Sequence, residues 1–231
     1  VGSDIGIRDW HNDASIIQCD IDQNSFGRYF PVEVGIHADA KTVADQLYNL
    51  LEKHKAKQEV EAWADQFKSN KKNYLEQRDA DADMDSVPIL PSGLIKGLRN
   101  ALPNDSVVTL DAGTMCLQLT DALHYHQPKS LFSPLDFGLV GFSYPAGLGI
   151  KLAAPERPVV SFHGDGGMSM VLPELSTAVE NNINTVCVVM NNGTWGAEAA
   201  YQKDFFEGRF IGAHITTPEF DKAAELYGCK G

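Results

Sequence analysis

The chain has 231 residues, which suits one large domain or one complete and one partial domain. Its apolar content of 43% supports a packed core, and none of its apolar runs approaches the roughly 20 residues of a membrane span. The formal net charge of −12 argues against nucleic acid and anionic membranes as partners. We therefore expect a globular protein without either partner.

The cysteines and the chain ends bear on the cellular setting. The four cysteines have no metal-like spacing: Cys19, Cys116, Cys187 and Cys229. Cys19 and Cys187 lie in apolar strand patterns, so we expect buried, reduced thiols, which are typical of the cytoplasm. No signal peptide pattern opens the chain. Because the chain starts without Met and stops just after a predicted helix, we expect a fragment truncated at both ends.

Residues 1–53 are typical of the second half of a small α/β domain. Residues 14–20 and 32–36 have the β-rich apolar pattern of short strands, and residues 22–24 predict a turn after the first of them. Asp39 is the predicted N-cap of a helix whose apolar residues recur at helical spacing.

Residues 54–87 are highly charged and predict a linker. Residues 56–77 favour an exposed helix, and the acidic run at 79–85 ends it. Alternating aspartates could also belong to a calcium loop. That loop needs Gly where Met84 stands and Glu where Leu90 stands, so the solvated linker is favoured.

Residues 88–231 predict a second α/β domain. A helix at 91–101 and a strand at 106–110 lead into the turn at 111–114. Residues 133–154 then form a glycine-rich loop that enters a helix of small residues, which can pack closely on a sheet.

Residues 158–200 predict a βαβ unit, around which the domain is organised. The strand at 158–163 ends in a glycine-rich turn at 164–167, and the strand at 185–190 ends in a polar turn at 191–193. Between them, apolar residues recur at the spacing of one buried helix face: Met168, Leu172, Leu175 and Val179. The two strands should be parallel, with their polar ends side by side.

The polar ends of this unit suggest a ligand site. Asp165 and Asn192 follow neighbouring parallel strands, at the edge where open α/β sheets bind ligands. Gly166 and Gly167 let backbone N–H groups approach a phosphate at the start of a helix. A carboxylate and an amide oxygen beside a diphosphate are suited to Mg²⁺. Each turn alone is also compatible with an ordinary strand connection.

The two turns together resemble the signature of thiamine-diphosphate (ThDP) enzymes. That signature is the sequence GDG followed, some two dozen residues later, by NN. The resemblance implies that Asp165, Asn192 and the backbone carbonyl of Thr194 bind Mg²⁺. It also places three glycines of the turn at the cofactor: Gly164, Gly166 and Gly167. A nicotinamide-binding alternative is disfavoured, because no G-x-G-x-x-G follows the first strand of either domain.

Two further loops resemble cofactor loops of the same enzymes. The pair Gly113 and Thr114 resembles the first diphosphate loop, whose N–H and hydroxyl groups face the phosphates. In the loop at 133–154, the resemblance implies that the Gly138 carbonyl accepts from the 4′-amino group of the pyrimidine. It implies that Val140 separates the two rings and holds the cofactor in a V shape.

The segments IIQCDID and GRYFPVEVGIHADAK resemble the middle domain of the acetolactate synthase superfamily of ThDP enzymes. The expected architecture is a parallel-sheet, three-layer diphosphate-binding domain at 88–231, preceded by part of a Rossmann-like middle domain at 1–53 and a charged linker at 54–87. Some members place FAD against the middle domain and others keep that domain as a structural spacer. The resemblance implies ThDP and Mg²⁺ as the cofactors.

Within this superfamily, WGAE with the following DFF and GRF resembles the sulfoacetaldehyde acetyltransferase branch. The implied reaction converts sulfoacetaldehyde and phosphate to acetyl phosphate and sulfite, through a ylid and an acyl or enamine adduct. Acetolactate synthase, or a related 2-keto-acid carboligase or decarboxylase, is the alternative enzyme. An inactive cofactor-holding or structural paralogue is the non-enzyme alternative.

The resemblance implies that the activating Glu comes from an N-terminal pyrimidine-binding domain of a neighbouring subunit, in a homodimer or homotetramer. That domain is not in this chain, so the sequence names no catalytic acid or base. Trp195, Glu198 and Arg209 remain open between pocket, subunit-contact and packing roles.

Overall fold

The computed structural model describes residues 14–54, 61–80, 82–134 and 137–231. The chain divides into two compact units, Val1–Lys72 and Asn73–Gly231. Some of the sequence predictions concern residues outside these ranges. They are the predictions for residues 1–13, for the start of the helix at 56–77, for Asp81 and for residues 135–136.

The first unit contains two short parallel strands and a capped helix. Strands β1 (Ile17–Asp20) and β2 (Val34–His37) pair in parallel, and a 3-10 turn at Gln23–Ser25 follows β1. Helix α1 (Ala40–His54) begins at the predicted cap, because Asp39 Oδ1 accepts two backbone N–H groups at 3.0 and 3.3 Å. The predicted strands and cap are confirmed.

The predicted burial of Cys19 is wrong. Cys19 is exposed, since it shares one face of β1 with Ile17 and that face is exposed in this unit. Cys187 is partly buried, and burial raises the pKa of its thiol to about 12. All four cysteines are free thiols.

Helix α2 (Glu61–Ala80) has no buried residue, as predicted for a solvated segment. It runs to Ala80 rather than to residue 77, so it ends inside the acidic run. The rings of Trp63 and Phe67 stack on its surface at 5.9 Å. The boundary between the two units falls within this helix.

The second unit is a four-stranded parallel sheet with helices on both faces. Its strand order is β4 (Leu131–Phe132), β3 (Val107–Leu110), β5 (Val159–Gly164) and β6 (Val186–Met190). Its helices are α3 (Pro91–Ala101), α4 (Thr114–Ala122), α5 (Ser143–Ala153), α6 (Asp165–Val171), α7 (Glu174–Glu180), α8 (Gly196–Phe205) and α9 (Phe220–Leu226). The predicted parallel α/β class and the βαβ unit are confirmed.

The two faces of this sheet have different chemistry. On one face, Leu110 and Phe162 join an apolar cluster with residues of α3 and α4. On the other face, Thr109 and Ser161 are fully buried beneath α5. Alternate residues of a strand point to opposite faces, so each central strand contributes to both layers.

Helix α5 packs on the sheet through a small residue and buried hydroxyls. A Cβ atom at Gly147 would lie 2.3 Å from Ser161 Oγ, so a larger residue has no space there. Thr109 Oγ1 donates to Ser161 Oγ at 2.8 Å, and Ser143 Oγ donates to the Thr109 carbonyl at 2.8 Å. The predicted close packing of the small-residue helix is confirmed.

The helix between the two strands of the βαβ unit is broken in two. The predicted buried face is confirmed at three positions, because Met168 and Leu175 belong to one apolar cluster and Leu172 packs against it. The prediction of one continuous helix is wrong, because α6 ends before Pro173 and α7 begins after it. Proline has no N–H for the helical hydrogen bond, and its ring clashes with the preceding turn. Met168 and Leu175 are buried, whereas Val179 is 40% exposed.

Across the described residues, no helix is both long and apolar enough to cross a membrane.

Replacing Gly147 with alanine should destabilise the second unit by about 1–3 kcal/mol, because the added Cβ forces α5 away from Ser161. Gly149 lies on the same helix, is exposed, and has open space at its Cβ position. The matched variant Gly149→Ala should therefore gain about 0.5–1 kcal/mol from helix propensity. Urea unfolding measures both values, and equal effects of the two substitutions would contradict the packing argument.

Candidate functional site

A cavity of about 1050 Å³ lies at the carboxyl ends of β3, β5 and β6. The ten residues predicted to bind cofactor or metal all line it: Gly113, Thr114, Gly138, Val140, Gly164, Asp165, Gly166, Gly167, Asn192 and Thr194. They come from four separate segments of the chain, which the parallel sheet brings to one edge. Their roles as ligands stay predictions.

Asp165 ties two walls of this cavity together. Its carboxylate is 1% exposed, and its Oδ2 accepts the Gly193 N–H at 2.8 Å. Asn192 Oδ1 accepts from the N–H and the hydroxyl of Thr194 at 3.0 and 2.9 Å. The turn after β5 and the turn after β6 are thus connected, and their oxygen-bearing side chains lie at the same edge.

Trp195 and Glu198, whose roles the sequence left open, both line the cavity. The Trp195 ring covers Gly166 so closely that a Cβ atom there would lie 2.5 Å from it. The backbone N–H of Trp195 donates to the carbonyl of buried Ala213 at 2.8 Å, which fixes the start of α8. Arg209 instead donates to the Phe206 carbonyl at the end of α8.

Asp111 holds the loop that enters α5, a role that sequence reasoning missed. It follows β3, is 3% exposed, and accepts N–H groups of Gly141, Phe142 and Ser143 at 3.1, 2.7 and 3.3 Å. Burial raises the pKa of this carboxyl, but contact with His163 and the backbone N–H donors outweigh burial and hold the pKa below its usual value. Asp111 is therefore a carboxylate at neutral pH.

His163 is the second missed residue, and it is fully buried. Its Nε2 accepts the Tyr144 N–H at 2.7 Å, and its Nδ1 lies 3.2 Å from Asp111 Oδ2 in a poorly aligned contact. An imidazole nitrogen that accepts a hydrogen bond carries no proton, so the neutral ring has its proton on Nδ1, facing Asp111. The sequence did contain one signal for Asp111 and His163, because each is a polar residue at the end of an apolar strand.

The described residues that line the cavity are acidic or uncharged. They include the carboxylates of Asp165 and Glu198, and they include no Lys, Arg or His. Apolar side chains such as Ile89 and Met115 form much of the remaining wall. Within this part of the chain, an anionic ligand would meet backbone N–H groups rather than a cationic side chain.

This arrangement is that of an open α/β domain with a cavity at the carboxyl edge of its parallel sheet. A comparison with protein families matches residues 111–231 to "Thiamine pyrophosphate enzyme, C-terminal TPP binding domain". The match covers more than half of the chain. The chain belongs to the thiamine pyrophosphate enzyme family, and the matched region is its TPP-binding domain.

Relatives of known function match nearly the whole chain. The sulfoacetaldehyde acetyltransferase of Alcaligenes xylosoxydans xylosoxydans is 29% identical over 98% of this chain and 41% of its own length. The acetolactate synthase large subunit of Haemophilus influenzae is 33% identical over 94% of this chain and 38% of its own length. The chain thus spans about two fifths of the curated relatives it matches, and the predicted superfamily is confirmed.

Replacing Asp111 with asparagine should destabilise the protein by about 2–3 kcal/mol at pH 7, because charged acceptors of buried N–H groups are lost. The folded pKa of Asp111 lies below its ordinary value of 3.8. Its stabilisation is therefore complete above pH 3.8 and is lost as pH falls through the folded pKa. The difference in free energy of unfolding between wild type and Asp111→Asn should narrow below that pH.

Urea unfolding at pH 7, 5 and 3 measures this difference. Asp204→Asn is the control, because Asp204 is an exposed carboxyl on α8. A difference for Asp111→Asn that stays constant across the three pH values would contradict the prediction.

Proposed function

We propose that the protein is a ThDP- and Mg²⁺-dependent transferase and that the cavity at the carboxyl ends of β3, β5 and β6 holds the cofactor. The observation that carries the proposal is the convergence of all ten predicted ligand residues on that one cavity. The membership of residues 111–231 in a TPP-binding family gives it independent support.

The glycine-rich turns suit the diphosphate half of the cofactor. Gly113 and Thr114 begin α4, and residues 164–167 begin α6 at the cavity wall. Helix starts offer unpaired N–H groups and a positive dipole end to phosphate oxygens. Bound there, ThDP would supply carbanion chemistry towards a carbonyl substrate, and the residues of this chain would supply its binding and orientation.

The charge of the cavity favours a divalent cation beside the diphosphate. The described lining offers the Asp165 carboxylate and the Asn192 amide, and no cationic side chain neutralises a phosphate there. Mg²⁺ takes oxygen ligands, usually one or two carboxylates together with substrate phosphates, so a site with one carboxylate and further protein oxygens fits it. We assign Asp165, Asn192 and the Thr194 carbonyl to the metal.

The loop before α5 suits the pyrimidine half. Gly138 has a positive φ of 67°, a left-handed conformation that glycine adopts without strain. Gly138 and Val140 both face the cavity. We propose that the Gly138 carbonyl accepts from the cofactor's amino group and that Val140 separates its rings.

The substrate proposed first is sulfoacetaldehyde, with phosphate as acceptor. The sulfoacetaldehyde acetyltransferases among the relatives and the WGAE segment, whose Trp195 and Glu198 line the cavity, support this choice. The acetolactate synthase relatives support a 2-keto-acid carboligase as the alternative. An inactive paralogue that only holds the cofactor is the non-enzyme alternative.

The proposal includes parts outside this chain. The activating Glu, and a cation for the sulfonate that the described lining lacks, would come from an N-terminal pyrimidine-binding domain of a neighbouring subunit. The assembly would be a homodimer or homotetramer in the cytoplasm.

The substrate is tested on the full-length protein with ThDP and Mg²⁺. Incubation with sulfoacetaldehyde and phosphate should release sulfite and acetyl phosphate in equal amounts, and omission of phosphate should suppress acetyl phosphate. Turnover of pyruvate without sulfite release would move the protein to the carboligase alternative. Cofactor binding without turnover of either substrate would favour the inactive paralogue.

The metal site is tested by cofactor binding rather than activity. After removal of metal, Mg²⁺ should restore ThDP binding to wild type, whereas Asp165→Ala should bind at least about 100-fold more weakly because a direct ligand is lost. Asp204→Ala removes an exposed carboxylate on α8 and should bind like wild type. ThDP binding to wild type that is independent of Mg²⁺ would refute the metal assignment.

A further inference from the structure

Helix α5 begins with its N–H groups satisfied by two side chains from other strands. Asp111 accepts from Gly141, Phe142 and Ser143, and His163 accepts from Tyr144. Four consecutive N–H groups are therefore bound by side chains that follow or end the central strands. The next residue of the helix is proline, which has no N–H.

From this contact set we infer that Asp111 and His163 are positioning residues that set the pyrimidine loop, residues 138–140, relative to the diphosphate end of the cavity. The inference rests on the proposed function. Val140 lines the cavity and is adjacent in sequence to Gly141, whose N–H donates to Asp111. A displacement of Gly141 would therefore move the loop at the cavity directly.

The two side chains that hold the start of α5 are buried, and a further hydroxyl extends their hydrogen-bond network. Asp111 is 3% exposed and His163 is fully buried. The Ser143 hydroxyl continues the network, since it donates to the Thr109 carbonyl and accepts the Phe162 N–H at 3.1 Å. Breaking one member leaves a buried polar group without a partner, so alternative positions of the loop are unfavourable.

His163 contributes two separable contacts. Its Nε2 accepts the Tyr144 N–H, and its Nδ1 faces Asp111. A glutamine side chain can place an acceptor near the position of Nε2, and an asparagine can place a donor near that of Nδ1. The inference requires the acceptor, because that contact holds the backbone of α5.

The experiment compares two probes in the full-length protein: ThDP with Mg²⁺, and inorganic diphosphate with Mg²⁺. Inorganic diphosphate has no pyrimidine, so it does not use the loop. Titration calorimetry gives both dissociation constants for wild type and for the variants His163→Leu, His163→Asn and His163→Gln. Phe162→Leu is the matched control. Phe162 is the buried neighbour of His163 on β5 and belongs to the apolar cluster on the opposite face of the sheet.

We expect His163→Leu and His163→Asn to bind ThDP roughly 10- to 100-fold more weakly, with binding of diphosphate within about 2-fold of wild type. His163→Gln should recover most of the lost ThDP affinity. Phe162→Leu should lower the midpoint of thermal unfolding without changing the ratio of the two dissociation constants.

Three results would overturn the inference. One is equal weakening of both probes in the His163 variants, which would mean general loss of structure. Another is unchanged ThDP affinity in His163→Asn, which tests the acceptor even if His163→Leu does not fold. The third is binding of diphosphate but not of ThDP by the wild-type protein. That result would refute the proposed function and, with it, this inference.

Discussion

The parallel register between β3 and β5 is the constraint on which the second unit depends. It pairs Leu110 with Phe162 and Thr109 with Ser161. On one face of these two strands Leu110 and Phe162 join an apolar cluster, while on the other face Thr109 and Ser161 present the hydroxyls that receive α5. A shift of one residue in either strand would move polar side chains into the core and apolar ones beneath α5.

The polar face has a structural cost that its connections offset. Buried hydroxyl and carboxylate groups are unfavourable unless they are hydrogen-bonded. Here Thr109, Ser143 and Ser161 bond to one another, and the close approach that this requires is possible because Gly147 has no side chain. Such a network admits one placement of the helix, whereas a purely apolar contact would tolerate small displacements. Because the loop at 138–140 leads directly into α5, its position follows from that of the helix.

Local signals predicted much of the fold and the positions of the candidate site. The helix bounds at Pro91–Ala101, the Asp39 cap and the parallel βαβ unit follow from propensity, capping and periodicity. The exposure of Cys19 depends on what covers a sheet face, which a strand pattern does not specify. Apolar periodicity continues across Pro173, but proline lacks the N–H that a continuous helix needs, so the local break signal outweighs the period.

The contacts of Asp111 and His163 could not be predicted in the same way. Asp111 reaches a loop some thirty residues away, and His163 becomes its neighbour only through the register of two strands. Composition and spacing describe what one segment does alone. Which polar residue meets which N–H group is decided by the three-dimensional arrangement of segments that are distant in sequence.

The N–H groups at the start of α5 are already hydrogen-bonded, which makes the two ends of the cavity electrostatically different. The N–H groups and the positive dipole end of this helix are already neutralised by Asp111 and His163, so that side attracts anions weakly. Helices α4 and α6 begin on the cavity wall, after a single glycine in α4 and a glycine-rich turn in α6. In the proposed function, the charged end of an elongated ligand would therefore lie beside α4 and α6, because a reversed pose would leave its charge at the end with few donors.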